Sequence, residues 1–104
     1  MTAIKLPSIS VRECLVLEQL RTGDKYGLEL VTASRGALKR GTVYVTLGRM
    51  ERKGFVESRQ EPLAAGAIGL PRRLYRATAY GLKVLDAYQL LREALALRPS
   101  EARG

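Results

Sequence analysis

The sequence predicts a small α+β domain, mostly α, in which a two-stranded hairpin separates three short helices from one long helix. Three observations support this fold class. Apolar residues recur at helical spacing before residue 54, two strand-like runs lie at residues 55–59 and 72–77, and a long apolar stripe begins after Thr78. With 104 residues, 46% of them hydrophobic, the chain can build one core and one domain.

The charge balance points to a polyanionic partner. The formal net charge is +8 and the pI is near 10.2, and nucleic acid is the commonest partner of a basic domain. An acidic membrane surface is the rival, but the sequence has neither a basic amphipathic helix nor a run of lysines. No stretch resembles a signal peptide or an apolar span of about 20 residues, so no membrane partner is expected.

The residue inventory removes most catalytic chemistry. The chain has no histidine and one cysteine, Cys14, so it offers neither a Cys/His zinc cluster nor a histidine base. A single cysteine also excludes an internal disulfide, which makes a reducing cytoplasm the expected compartment. Cys14 is interpreted as a small buried hydrophobe, with a reactive thiol beside Arg12 as the alternative. We expect no enzyme activity, no cofactor and no metal.

The first helix is predicted at residues 10–21, after an N-terminal arm of residues 1–9. Ser10 and Glu13 form the Ser-x-x-Glu pattern, in which each side chain caps the backbone amide of the other residue. The apolar residues of this helix cover more than one stripe, which is wider than a surface helix needs. We therefore expect one side to face the core and another side to face a partner subunit.

A second helix is predicted at residues 26–34, opened by Asp24 or Lys25. Gly27 lies inside it and costs roughly 1 kcal/mol relative to alanine, so we expect close packing against a neighbouring helix there. Residues 35–41 follow as a connection with three cations and two glycines. A helix, a short helix, a basic turn and a third helix make the helix-turn-helix order.

The third helix, residues 41–53, has the composition of a surface that lies against DNA. Val43, Leu47 and Met50 fall on one face and are predicted to be buried. The rest carries hydroxyls, one aromatic ring, small residues and cations, and Glu51 is the only acid. The residues expected to contact DNA in this helix and in the turn before it are Lys39, Arg40, Thr42, Tyr44, Val45, Thr46, Gly48, Arg49, Arg52 and Lys53.

These side chains suit different contacts with double-stranded DNA. The cations neutralise phosphates, and the hydroxyls of Tyr44 and of both threonines bond phosphates or bases. Arg49 suits a guanine and Val45 a thymine methyl group. Gly48 weakens the helix and points away from the core, so the DNA backbone is expected to approach closely there. The alternative is a solvated helix face, with Tyr44 packed over the edge of the core.

The two strands form a predicted hairpin, or wing, at residues 59–73, with a loop at residues 60–71 as its tip. The tip carries no cation, so phosphate contacts from the wing are assigned to its base, at Arg72 and Arg73. Alternation puts Arg73 and Tyr75 on one face of the second strand and leaves open which face is inward.

The last helix is predicted at residues 78–98, where Thr78 caps it and Pro99 stops it, followed by a flexible tail at residues 99–104. At about 1.5 Å per residue it is longer than a domain of this size can bury, so part of its stripe is expected to pack against a second chain. A helix folded back on its own domain is the alternative. The expected homodimer contacts are Val84, Tyr88, Leu91, Leu95, Val11 and Leu15.

The whole order is that of a winged helix-turn-helix, and particular residues make the likeness more specific. The third helix and its strand, the wing return and the second helix resemble those of PadR-family transcriptional regulators of the short type, which have a single C-terminal helix. The match covers roughly residues 11–95. It rests on Gly41-Thr42-Val43-Tyr44 with Leu47, on Lys53-Gly54-Phe55-Val56, on Pro71 to Thr78 with Gly81, and on Tyr26-Gly27-Leu28-Glu29-Leu30. Two departures are Tyr26, where the family often has histidine, and Val45, where proline is frequent.

The resemblance implies a dimeric repressor that binds a palindromic operator through residues 41–53 and the wing. Residues 10–77 would then form the DNA-binding domain and residues 78–98 the dimerisation helix. Some short members bind flat hydrophobic molecules between aromatic side chains at the dimer interface. This chain has no tryptophan, so the resemblance does not settle whether it binds a small hydrophobic effector. The alternative function is a winged-helix module that binds protein or RNA without operator specificity.

Overall fold

A computed structural model describes residues 5–63, Gly66, Gly69 and residues 71–96. This part of the chain contains four helices and one three-stranded antiparallel sheet. The predicted helices and hairpin strands occur in the predicted order, with one additional strand between the first two helices. In chain order the elements are α1 (Val11–Leu20), β1 (Lys25–Tyr26), α2 (Gly27–Ala33), α3 (Val43–Lys53), β2 (Val56–Gln60), β3 (Arg73–Ala77) and α4 (Ala79–Ala96).

Helix α1 begins with the predicted capping box. The Ser10 backbone amide donates to Glu13 Oε1 at 2.8 Å, and the Glu13 amide donates to Ser10 Oγ at 3.1 Å. The helix then buries Val16 and Leu17 completely. Cys14 is also buried, and burial, followed by the charge of Glu18, raises the pKa of its thiol. A thiol of this kind is the predicted small hydrophobe and lacks the thiolate character of a sensor.

The sequence did not predict strand β1. Lys25 and Tyr26 were expected to open the second helix, but they pair with Tyr75 and Leu74 of β3, and the sheet order is β1-β3-β2. Two residues are too few to give a periodic signal, and their partners lie about 50 residues away. The sequence left open which face of β3 is inward. It is the face that carries Tyr75, because this residue is buried in the core.

A cluster of charged side chains, Asp24, Arg59 and Arg76, lies on the exposed side of this sheet. The Asp24 carboxylate accepts hydrogen bonds from Arg76 at 3.0 and 3.1 Å and from Arg59 at 3.3 Å. The hydrogen bond from Arg76 is the main cause of the lowered pKa of Asp24. The cluster ties the loop before β1 to both strands of the hairpin.

Helix α4 crosses the residues just before β2, Gly54 and Phe55, at very short range. Thr78 is its cap: the hydroxyl accepts from the Gly81 amide at 2.9 Å and donates to the Gly54 carbonyl at 2.6 Å. A Cβ on Gly81 would lie 2.9 Å from the carbonyl carbon and from Cα of Phe55, so only glycine fits there. This contact fixes the direction in which α4 leaves the domain.

The remainder of α4 separates from the core. Leu85 is completely buried near its start, whereas residues 90–96 are all exposed. None of the helices in the described ranges combines the length and apolarity that crossing a membrane demands. The predicted arm, wing tip and helix end at residue 98 extend partly outside the described residues. The predicted tail at residues 99–104 lies wholly outside them.

Candidate nucleic-acid interface

Helix α3 has one buried side and one exposed stripe. Val43, Leu47 and Met50 are at most 1% exposed, which confirms their predicted role as core anchors. On the opposite side, four residues at helical spacing of i, i+3, i+4 and i+7 form what we term the outer stripe. Its members are Val45, Gly48, Arg49 and Arg52.

Thr46 was predicted to lie on the exposed side of α3. The structure shows instead that it is buried, with only 7% of its surface exposed. It lies three residues after Val43 and four before Met50, so helical geometry turns it toward the same side as these two anchors. The spacing alone could have revealed this. The structure therefore does not bring the Thr46 hydroxyl to the outer stripe.

Lys53 is likewise turned away from the outer stripe. Its ammonium donates to both carboxylate oxygens of Glu13, at 2.9 and 3.0 Å, and to the Ser8 carbonyl at 3.0 Å. Glu13 is 1% exposed, so this is an ion pair at the edge of the core. Lys53 joins the end of α3 to α1 and the N-terminal arm, and its charge is already matched within the chain.

Tyr44 lies between the outer stripe and α2. Its phenol group lies against Gly27, where an added Cβ would come within 2.6 to 2.8 Å of ring atoms Cε1 and Cζ and of the hydroxyl oxygen. This contact confirms the predicted close packing at Gly27. Half of the Tyr44 side chain is still exposed, so the residue both anchors α3 and presents aromatic surface.

The start of α3 is suited to an anion. Lys39, Arg40 and Thr42 are exposed in the turn that precedes it. The Thr42 hydroxyl makes no capping bond and instead donates to the Lys39 carbonyl at 3.5 Å. The first turn carries no acidic residue, so the positive end of the helix dipole is not offset by a carboxylate of its own. Backbone amides at such a helix end bind phosphate readily.

The base of the wing faces the same region as Tyr44. An open groove of about 610 Å³ separates α2 and α3 from the start of β3. The Arg72 guanidinium lies over the ring of Tyr26, 5.0 Å from its centroid. Arg73 donates to Ser58 Oγ at 3.1 Å. The groove is lined by Tyr26, Leu28, Glu29, Tyr44, Pro71, Arg72, Arg73 and Tyr75.

Two residues of this region were missed in the sequence, Tyr26 and Glu61. The Tyr26 hydroxyl donates a hydrogen bond to Glu61, and that bond is the main cause of the raised pKa of the phenol. The residues are 35 positions apart, so local spacing could not connect them. The one available signal was the departure of Tyr26 from the histidine that is frequent in the resembled family.

The six residues expected at a dimer interface fall into two groups. Val84 is 8% exposed, and Tyr88 and Leu15 are partly buried, so their contacts are largely within the domain. The strongly exposed ones, with exposed fractions from 53% to 76%, are Val11, Leu91 and Leu95, and the unpredicted Leu90 belongs with them. Beside them runs an apolar groove of about 330 Å³ between arm residues Leu6, Pro7 and Ile9 and one side of α4.

Comparison with known proteins places this geometry in a family. The family model described as "Transcriptional regulator PadR-like family" matches residues 16–87. A crystal structure of a PadR family transcription regulator from Clostridium difficile is similar, with a TM-score of 0.70 and 27% identity, covering 83% of this chain and 91% of that chain. One from Eggerthella lenta has a TM-score of 0.68 and 32% identity, over 80% of this chain and 72% of that chain.

A third similar structure contains nucleic acid. It is Bacillus subtilis PadR in complex with operator DNA, with a TM-score of 0.68 and 20% identity, covering 76% of this chain and 46% of that chain. At this identity the likeness concerns the fold alone. No curated protein matches the sequence.

Proposed function

Because the chain belongs to the PadR-like family of transcriptional regulators, we propose that it is a dimeric repressor that binds a palindromic operator. Residues 10–77 bind the DNA and residues 78–98 hold two chains together. The observation that carries the proposal is the outer stripe of α3, whose side chains are exposed and include no acid, together with Tyr44, which lines one groove with the cationic wing base. The complex of Bacillus subtilis PadR with operator DNA supports the same use of the fold.

The proposed division of labour follows from side-chain chemistry. Arg49 reads a guanine, because its planar guanidinium can donate two hydrogen bonds to one base edge. Val45 meets a thymine methyl group. Phosphate contacts come from the remaining exposed candidates, which are Lys39, Arg40, Thr42, Tyr44, Arg52, Arg72 and Arg73. Thr46 and Lys53 are left out, because one is buried and the other is paired with Glu13.

Titration of the protein against random and genomic duplexes at two salt concentrations tests this function. A repressor is expected to select particular genomic sites, and each neutralised phosphate adds roughly 0.9 to the slope of log affinity against log salt. Salt-dependent binding without sequence preference would favour the alternative, a protein- or RNA-binding module. A reporter with the selected site at its promoter then distinguishes repression from activation by the sign of the change in transcription.

Two arginine variants separate sequence reading from phosphate binding. Arg49→Ala is expected to reduce the preference for operator over random duplex about tenfold or more, since a bidentate base contact discriminates by roughly 1–3 kcal/mol. Arg72→Ala should weaken all duplexes alike and lower the salt slope by about 1. Lys83→Ala, which removes one charge from the exposed side of α4, is the control. Equal losses of preference in both arginine variants would contradict the assignment.

Gly48→Ala is expected to affect stability and binding in opposite directions. A Cβ there has Arg52 Nη1 at 3.7 Å as its nearest neighbour, so alanine fits and should stabilise the helix by up to about 1 kcal/mol. If the DNA backbone lies against Gly48, the added methyl group weakens operator binding about tenfold. Thermal unfolding and duplex titration measure the two effects. Unchanged operator affinity would show that DNA does not approach Gly48.

The dimer is proposed from the apolar side chains that α4 leaves exposed. Leu90, Leu91 and Leu95 are 53% to 76% exposed over two helical turns, and Val11 adds 66% exposed surface on α1. A second copy of the chain offers the same surface, so a symmetric helix pair would bury both. Such clusters are uncommon on monomers.

Replacing both Leu91 and Leu95 by lysine is therefore expected to produce a monomer. Because both side chains are exposed in the single chain, the variant should keep its fold and its thermal unfolding transition. Sedimentation at micromolar concentration should give the mass of one chain, 11.5 kDa, whereas the wild type gives twice that mass. Leu63→Lys, which adds one lysine at another exposed leucine, on the wing, is the control. A monomeric wild type would refute the dimer.

A further inference from the structure

Tyr26 is at the junction of the wing with the helix-turn-helix. It is the last residue of β1, where it pairs with Leu74 of β3, and it is the N-cap residue of α2. Its backbone amide donates to Glu29 Oε1 at 2.8 Å. The backbone of Tyr26 is therefore held by the sheet on one side and by α2 on the other.

The Tyr26 side chain contacts both ends of the wing loop. Its hydroxyl donates to Glu61, which follows β2, and its ring lies under the Arg72 guanidinium, which precedes β3. The Glu61 amide also donates to the Arg72 carbonyl at 2.7 Å. A phenol bound to a carboxylate forms a charge-assisted hydrogen bond, and a guanidinium over an aromatic face gains a cation–π interaction. One side chain thus joins both edges of the wing base.

The residue after Tyr26 carries the connection on to α3. Gly27 receives the ring of Tyr44, so the wing base, the start of α2 and α3 are in contact through consecutive residues. The Arg72 guanidinium carries five N–H donors, so its contact with the Tyr26 side chain leaves donors that can bind a phosphate.

We propose that Tyr26 is a positioning residue for DNA binding, which holds the wing base and Arg72 at a set distance from α3 through its contacts with Glu61 and Arg72. This inference rests on the proposed function, because it assumes that α3 and the wing contact one duplex. Tyr26 need not contact DNA. Its effect is exerted through Arg72.

Tyr26→Phe tests the inference, because it retains the ring and removes only the bond to Glu61. Operator affinity is expected to fall roughly fivefold, the factor that one ordinary hydrogen bond supplies. In an Arg72→Ala background the same change should cost less than about twofold, since neighbours in one network are not additive. Tyr80→Phe on α4 is the control and should leave affinity unchanged. Additive losses in the double variant would overturn the inference.

A second readout does not depend on DNA. Tyr26→Phe is expected to speed hydrogen exchange of the Glu61 amide at least about fivefold, because that amide is bonded across the wing base to Arg72. Amides of α1 should exchange as in the wild type. If the wild type binds no duplex, the proposed function fails. The exchange rate of the Glu61 amide still shows whether the Tyr26 hydroxyl stabilises the wing base. Unchanged exchange at Glu61 would overturn the positioning role.

Discussion

Lys53→Ala is expected to lower the free energy of unfolding by about 3 kcal/mol. The change leaves the Glu13 carboxylate, which is 1% exposed, without its counter-charge. Breaking a buried ion pair from one side costs about 3–5 kcal/mol. The lower end applies because the Lys53 side chain is 27% exposed and Glu13 keeps its bond from the Ser10 amide. Urea denaturation measures the change.

Two further variants make this test specific to the ion pair. Arg52→Ala removes a charge from the exposed neighbour of Lys53 and should change stability by less than about 0.5 kcal/mol. Glu13→Gln combined with Lys53→Ala should recover part of the loss, because no unpaired charge then remains at the site. A Lys53→Ala protein that is within about 1 kcal/mol of the wild type would contradict the internal pairing and return Lys53 to the set of DNA contacts.

Gly81→Ala is expected to destabilise the protein by about 3 kcal/mol although alanine is the better helix former. Its Cβ would be 2.9 Å from the carbonyl carbon and Cα of Phe55, where unstrained carbon atoms stay about 3.5–4.0 Å apart. The Phe55 carbonyl also accepts from the Thr78 amide at 3.0 Å, so relieving the overlap would disturb the cap of α4. Thermal and urea unfolding measure the loss.

Gly48→Ala supplies the matched control for this change. Both glycines lie inside helices, but Gly48 has room for a methyl group and Gly81 has none. The two substitutions should therefore change stability in opposite directions, and a Gly81→Ala chain that does not fold is the extreme form of the expected result. If Gly81→Ala is as stable as Gly48→Ala, α4 does not cross Phe55 at the distance described.

Features that depend on near neighbours were predictable from the sequence. The capping box of α1 needs only Ser10 and Glu13, three residues apart, and it is present as expected. The anchors of α3 follow from the helical period, and the hairpin follows from two strand-like runs around a loop. Periodicity would also have placed Thr46 on the buried side, had its position been weighed above its hydroxyl group.

Features that join distant residues were decided by the tertiary structure alone. Strand β1 exists because β3 offers partners about 50 residues later. Lys53 is paired because α3 ends beside Glu13, 40 positions earlier. Tyr26 reaches Glu61 and Arg72 only because the sheet brings the wing base to α2. Residue type and spacing set the local helix and strand preferences, but only the folded contacts determine which cations remain free for a phosphate and which are matched within the chain.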